Sequence, residues 1–172
     1  VRVRDADAAR DAPACAAIYA PYVTDSFISF EDRPPTAQEM QRRIEAAHVW
    51  LIAEEEGAPI GYAYGSAHRE RAAYRWAADA AIYIDAGAHR AGVGRALYTS
   101  LFERLSDIGV WTVCAGVTEP NPASTGLHRA MGFVHVGTYR RIGWKQGAWR
   151  DVSWWQLDLR PGEPGPPAEL RD

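Results

Sequence analysis

The sequence predicts an α+β domain, with helices packed around one central, mostly antiparallel sheet. Three observations predict it. Short runs rich in β-branched and aromatic residues alternate with longer stretches of helical periodicity. Consecutive short runs meet across turn residues, as at Gly57, which makes neighbouring hairpin strands and departs from the strict βαβ alternation of a doubly wound fold. One strand, residues 76–84, runs into a glycine turn that opens a helix.

The elements follow in order. Val1 and Val3 alternate with Arg2 and Arg4 in a short strand. Asp7 caps a helix running to residue 22, with Pro13 disturbing its middle. Residues 26–30 are extended and end in a turn at Pro34-Pro35. Thr36, with Glu39 three residues later, forms a capping box for a helix to residue 47. Residues 49–55 and 59–67 are strands around Gly57, and residues 69–71 form a charged loop. In the strand over 76–84, Ile82, Tyr83 and Ile84 are β-branched or aromatic. The helix over 95–108 buries Leu97, Leu101 and Leu105 at four-residue spacing. Residues 111–118 form a buried strand. Asn121 starts a helix closed at Gly132, and residues 133–139 and 149–159 complete the sheet. The tail from Pro161, Pro-Gly-Glu-Pro-Gly-Pro-Pro, is expected to be disordered over residues 161–172, leaving residues 1–160 as the folded domain.

Composition narrows the function. The 172 residues carry a net charge of −3, so nothing draws the whole chain to nucleic acid, and an anion site must be local. Apolar residues make up 47% and charged residues 24%, an ordinary globular balance. Cys15 and Cys114 make neither a disulfide framework nor a zinc site and read as small buried hydrophobes; no metal is expected. No apolar run reaches membrane-spanning length, and the N-terminal charges lack the apolar core of a secretory signal. A cytoplasmic protein is expected.

The segment His89-Arg90-Ala91-Gly92-Val93-Gly94-Arg95 holds the clearest chemistry. Glycines let the backbone approach a ligand, and the free N–H groups of a helix start favour an anion such as a pyrophosphate. His89, Arg90 and Arg95 agree with that. A dinucleotide fingerprint is excluded because Leu97 stands where the third glycine belongs. A Walker A loop is excluded because Arg95-Ala96 replaces Lys-Ser/Thr.

The turn resembles the Q/R-x-x-G-x-G/A acyl-CoA loop of the GNAT N-acetyltransferase superfamily, with His89 departing from the usual first residue. Other segments resemble one branch, the phosphinothricin and methionine sulfoximine acetyltransferases. They are Phe27-Ile-Ser-Phe-Glu-Asp-Arg-Pro-Pro-Thr36, Tyr74-Arg-Trp-Ala-Ala-Asp79, Asn121-Pro-Ala-Ser-Thr-Gly-Leu-His128, Met131-Gly-Phe133, Gly143-Trp-Lys-Gln-Gly-Ala-Trp-Arg-Asp151 and Trp154-Trp-Gln156. They fall in family order over residues 1–160. The resemblance implies a GNAT fold, acetyl-CoA as co-substrate, and acetylation of the α-amino group of a small amino acid analogue. It also implies a homodimer, with the Tyr139, Trp144, Trp149, Trp154 and Trp155 hairpin in the core or at the subunit interface.

Site residues follow from the same resemblance. Ile82, Tyr83, Ile84, the turn His89–Arg95 and Asn121 would hold acetyl-CoA. Phe30, Arg71, Ala72, Ala73 and Tyr74 would line the acceptor site. Transfer to an amine requires a neutral nucleophile, a stabilised oxyanion and a leaving thiolate, with no covalent enzyme intermediate, so Cys114 is not a nucleophile. Asp79 lies among alanines, where a carboxylate is either partnered or raised in pKa. It stands where the family usually has Glu and is expected to be the base. His128 stands where many family members have a Tyr that protonates the thiolate. His48, His68, His89 and His135 are weaker candidates. Arg69 and Arg71 suit a carboxylate-bearing acceptor. The rival readings are the same fold acting on another amine, such as an amino acid, a polyamine or a protein N-terminus, or a non-catalytic acyl-CoA-binding module.

Overall fold

A computed structural model describes residues 1–88, 92–163 and 165–171. The elements are β1 (Arg2–Asp5), α1 (Ala8–Thr24), α2 (Ala37–Ala46), β2 (Val49–Glu55), β3 (Ala58–Ala67), β4 (Ala77–Ile84), α3 (Val93–Ile108), β5 (Thr112–Glu119), α4 (Pro122–Ala130), β6 (Val134–Lys145) and β7 (Ala148–Asp158). They build a seven-stranded sheet in the order β1-β2-β3-β4-β5-β7-β6. Every neighbouring pair is antiparallel except β4 with β5. The mixed, mostly antiparallel architecture is the one the sequence predicts.

Local chemistry sets the helix starts. Asp7 accepts from the Arg10 amide at 3.0 Å, and Thr36 and Glu39 cap each other's backbone at 3.2 and 2.8 Å. Helix α1 continues through Pro13 and Pro21. Residue alternation along β2 divides the core between the faces of the sheet. Trp50 and Ile52 pack with α1 and α2, whereas Leu51 and Ala53 pack with α3. Leu97, Tyr98, Leu101 and Leu105 of α3 are fully buried, each leucine contributing about 1.5–3 kcal/mol. That packing fixes α3, and with it the glycine turn at its N-terminus.

Besides the unbroken course of α1 through Pro13, which was expected to disturb it, further expectations change. Residues 26–30, expected to be extended, bend at 27 and 28; Ser26 donates to the Tyr22 carbonyl at 2.8 Å and Ser29 pairs with the Tyr19 hydroxyl at 2.7 Å, which holds them as an irregular loop. Strand β6 runs well past residue 139, because β7 pairs with it across shifts in register as far as Lys145. The tail, expected to be disordered over residues 161–172, docks at its far end. The Trp76 indole donates to the Ala168 carbonyl at 2.7 Å, the Arg171 amide donates to the Ile108 carbonyl at 2.8 Å, and Leu170 packs on the α3 side of the core. The described residues of the proline-rich stretch are exposed, but the residues after it carry an apolar anchor. Cys15 is buried as expected, whereas Cys114 is only half-buried.

Candidate active site

The site begins where the sheet comes apart. Strands β4 and β5 pair over only three positions, from Ala77 opposite Thr112 to Asp79 opposite Cys114. Beyond them β4 stays with β3 as far as Ile84, and β5 stays with β7 as far as Glu119. The facing edges of β4 and β5 therefore part and leave backbone groups without a strand partner across the gap. A cleft of about 580 Å³ opens there, walled by residues 80–84 and 115–118 and closed by α3 and α4.

The glycine turn stands at the mouth of this cleft. Gly92 caps α3 with φ 111°, a left-handed conformation that glycine adopts without strain. Gly94 lies within α3, and a methyl there would come within 3.0 Å of Leu127 and 3.6 Å of Ile82 and Ile84. A hydrogen at that position keeps the cleft open between β4 and α4. Arg95 lines the same space, with the N–H groups of the first helical turn beside it. His89, Arg90 and Ala91 lie outside the described residues. Ile82, Tyr83 and Ile84 all border the cleft, but Tyr83 turns its ring to the other face, against Tyr19 and Tyr22 at 4.7 and 5.1 Å. Asn121 caps α4 by accepting from the Ser124 amide at 3.1 Å, which leaves its NH₂ group for a ligand in the cleft.

Asp79 occupies the last paired rung before the strands part. Its side chain is 32% exposed, and its carboxylate meets His68 Nδ1 at 2.6 Å and Arg69 at 4.0 Å. Burial pushes the Asp79 pKa up; the hydrogen bond from His68 opposes this without cancelling it. Cys114, across the β4–β5 pair, completes a tight group, with the ligand atoms of the three residues within 4.8 Å of one another. Burial also pushes the Cys114 thiol up, so it stays neutral. With Nδ1 already given to Asp79, the group reads as a proton-handling pair backed by a thiol more than as a metal centre.

His128 is only 2% exposed. Its Nδ1 lies 2.7 Å from the Ser124 carbonyl, which can only accept, so Nδ1 carries the hydrogen. Burial lowers the His128 pKa and favours the neutral ring. Nε2 then accepts from the Tyr98 hydroxyl at 3.1 Å. His128 and Tyr98 thus enter the cleft as a hydrogen-bonded pair.

The residues expected to line the acceptor site lie on two segments, Phe30 before α2 and Arg71–Tyr74 after β3. Phe30 is 41% exposed and lies over Gly143, where any side chain would overlap its ring. Arg71 begins a short turn through Ala72 and Ala73 to Tyr74; all four are exposed, and Tyr74 brings its ring 5.7 Å from His68. Arg69, rather than Arg71, is the guanidinium next to Asp79. Two contacts were not read from the sequence, His68 with Asp79 and Tyr98 with His128. The signal for His68 is the β3–β4 register: Ser66 opposes Asp79, so the residue two further along the chain, just past the end of β3, is its diagonal neighbour.

Residues 6–154 match the family model for the acetyltransferase (GNAT) domain. The chain is 36% identical over 174 residues to phosphinothricin N-acetyltransferase of Streptomyces viridochromogenes, covering 99% of this chain and 93% of that protein. It is 28% identical to the L-methionine sulfoximine/L-methionine sulfone acetyltransferase of Pseudomonas paraeruginosa, covering 95% and 98% of the two chains. A crystal structure of a phosphinothricin acetyltransferase from Sinorhizobium meliloti in complex with AcCoA superposes with a TM-score of 0.92 at 35% identity, covering 98% of this chain and 93% of that one. With its parted strands, its glycine turn and a family match over nearly its whole length, the chain belongs to the GNAT family of N-acetyltransferases.

Proposed function

We propose that this enzyme transfers the acetyl group of acetyl-CoA to the α-amino group of a small amino acid analogue of the phosphinothricin or methionine sulfoximine kind. The observation that carries the reading is the cleft itself. It has an anion-binding helix start at one end and a desolvated, hydrogen-bonded carboxylate beside the other. The turn around Gly92 and Gly94 would receive the pyrophosphate. The free edges of β4 and β5, with Asn121, would hold the pantetheine arm. The amine would enter from the side of Phe30, Arg71 and Tyr74 and lose its proton toward Asp79. As the sulfur departs, the Tyr98 hydroxyl would turn its hydrogen from His128 Nε2 to the thiolate. The names of the relatives support the substrate class.

The acceptor's carboxylate needs a cation at fixed geometry. Arg71→Ala is expected to raise KM for methionine sulfoximine at least ~10-fold through loss of a charge-assisted contact, while leaving acetyl-CoA affinity unchanged. Lys at this position should rescue only in part, since it keeps the charge and loses the planar fork. Steady-state kinetics with calorimetry checks both. An unaltered KM removes Arg71 from the acceptor site.

His128→Ala is expected to lower kcat with near-normal acetyl-CoA affinity. It also leaves a cavity and an unpaired Tyr98 hydroxyl, so stability should fall by about 2–4 kcal/mol. Denaturant titration of the same preparation separates the two effects. A stability loss with unchanged kcat would make His128 a purely structural residue.

A homodimer through the β6–β7 hairpin belongs to the same reading. β6 ends the sheet, and Val134, Val136, Tyr139, Ile142, Trp144 and Trp149 stand exposed along the hairpin. None of the described helices is long and apolar enough to cross a membrane. A cytoplasmic location, where acetyl-CoA is found, completes the reading.

A further inference from the structure

We propose that His68 is the group that takes the amine's proton, and that Asp79 acts through it as a positioning residue. This rests on reading the Asp79 end of the cleft as the base side of acetyl transfer. Geometry carries the proposal. The Asp79 carboxylate faces His68 Nδ1 at 2.6 Å, so the shared hydrogen sits on Nδ1 and the neutral ring presents Nε2 as an acceptor. Nε2 has no hydrogen-bond partner among the described residues, and it is absent from the fully buried unsatisfied atoms. The His68 side chain is 17% exposed, so solvent reaches it. Its ring is held edge-on by Tyr74 at 5.7 Å, on the acceptor side, and by Trp154 of β7 at 6.4 Å. The carboxylate is one methylene shorter than a glutamate and is already spent on the imidazole. The imidazole extends the base by the width of a ring, toward the residues that would hold the amine.

The groups around the pair agree with this role. Asp79 comes from β4, the neutral Cys114 thiol from β5, Tyr74 from the turn after β3, and Arg69 stands 4.0 Å from the second carboxylate oxygen. Tyr64 of β3 feels the Asp79 charge, the weakest of the causes that raise its pKa. Among the described residues, no second carboxylate is hydrogen-bonded to the pair. Desolvation that raises the Asp79 pKa makes the carboxylate a better acceptor for the Nδ1 hydrogen as the ring becomes charged.

One ammonium proton passes to His68 Nε2, and the freed lone pair attacks the thioester carbonyl. The C–N bond forms, and the C–S bond breaks as the adduct collapses. The second nitrogen proton ends on the thiolate, and His68 returns its proton to solvent. The products are the amide, free thiol and one proton.

The test compares His68→Phe, His68→Gln, Asp79→Asn and the double variant His68→Phe/Asp79→Asn, using thiol release from acetyl-CoA with methionine sulfoximine across pH. The Phe variant keeps a ring against Tyr74 and Trp154 and removes both nitrogens. We expect kcat/KM to fall roughly 100-fold in His68→Phe, with acetyl-CoA affinity by calorimetry unchanged. The wild-type profile should level off once the pair is unprotonated, whereas the His68→Phe profile should keep rising toward the pKa of the amine itself. The double variant should lose no more than the larger single loss, since the two residues act as a unit. A proton spectrum of the wild-type enzyme should show a strongly downfield Nδ1–H signal that vanishes in His68→Phe, whether or not the chosen amine turns over. Wild-type rates and pH profile in His68→Phe, multiplicative losses in the double variant, or absence of the downfield signal would each overturn the proposal. Failure of the wild type to acetylate any amine would overturn the functional reading instead.

Discussion

Asp79→Asn is expected to lower kcat/KM roughly 100-fold at neutral pH, the largest kinetic loss expected of any single change away from His68. The substitution preserves shape. An amide oxygen can still accept from His68 Nδ1, so the 2.6 Å contact has a neutral counterpart. What is lost is the negative charge that stabilises a protonated partner, and the site's capacity to accept a proton. The pH dependence has a definite sign. As pH rises toward the pKa of the amine, a growing share of the acceptor arrives already neutral and needs no base. The loss should therefore shrink at high pH. Profiles of kcat/KM for wild type and variant, measured side by side, check this. A deficit of the same size at every pH would assign Asp79 to architecture alone.

Gly92→Val is expected to weaken acetyl-CoA binding by at least ~2 kcal/mol, about 30-fold in Kd. Two causes act together. Gly92 has φ 111°, where a β-branched residue is strained, so the turn must shift. A methyl built there meets no atom of the described residues within 4 Å, so the added side chain would stand in open space beside the cleft, where the pyrophosphate is proposed to lie. Gly57 supplies the control, since it also has a positive φ of 81° with nothing within 4 Å but lies in the β2–β3 turn. Gly57→Val should lose stability and keep cofactor affinity. Calorimetry on both variants separates strain from ligand contact. Unchanged affinity in folded Gly92→Val would move the cofactor away from this turn.

What the sequence made legible was mainly local. Caps at Asp7, Thr36 and Asn121 depend on residues three positions away, and all are present. The leucine stripe of α3 and the two glycines before it lie within one segment. What it hid was set by register and by distant contacts. Asp79 was visible as a carboxylate among alanines, but its partner lies 11 residues earlier, across a hairpin. His128 was visible through the resemblance carried by the Asn121–His128 segment. Its partner Tyr98, 30 residues away, was read only as part of a helix. The docked tail was concealed by its prolines, because composition describes a segment's own packing and says nothing of the surface that receives Leu170. The extension of β6 was hidden for a related reason: most of its residues are exposed, so burial gives little pattern to read.

The most direct test of the account is thiol release by the wild-type enzyme from acetyl-CoA. The panel should contain methionine sulfoximine, phosphinothricin, ordinary amino acids, polyamines and peptides, with the acetylated product located by mass spectrometry. The account predicts fastest turnover with the two carboxylate-bearing analogues and the acetyl group on the α-amino nitrogen. Release with polyamines or peptides alone, or tight acetyl-CoA binding with no release for any amine, would contradict it.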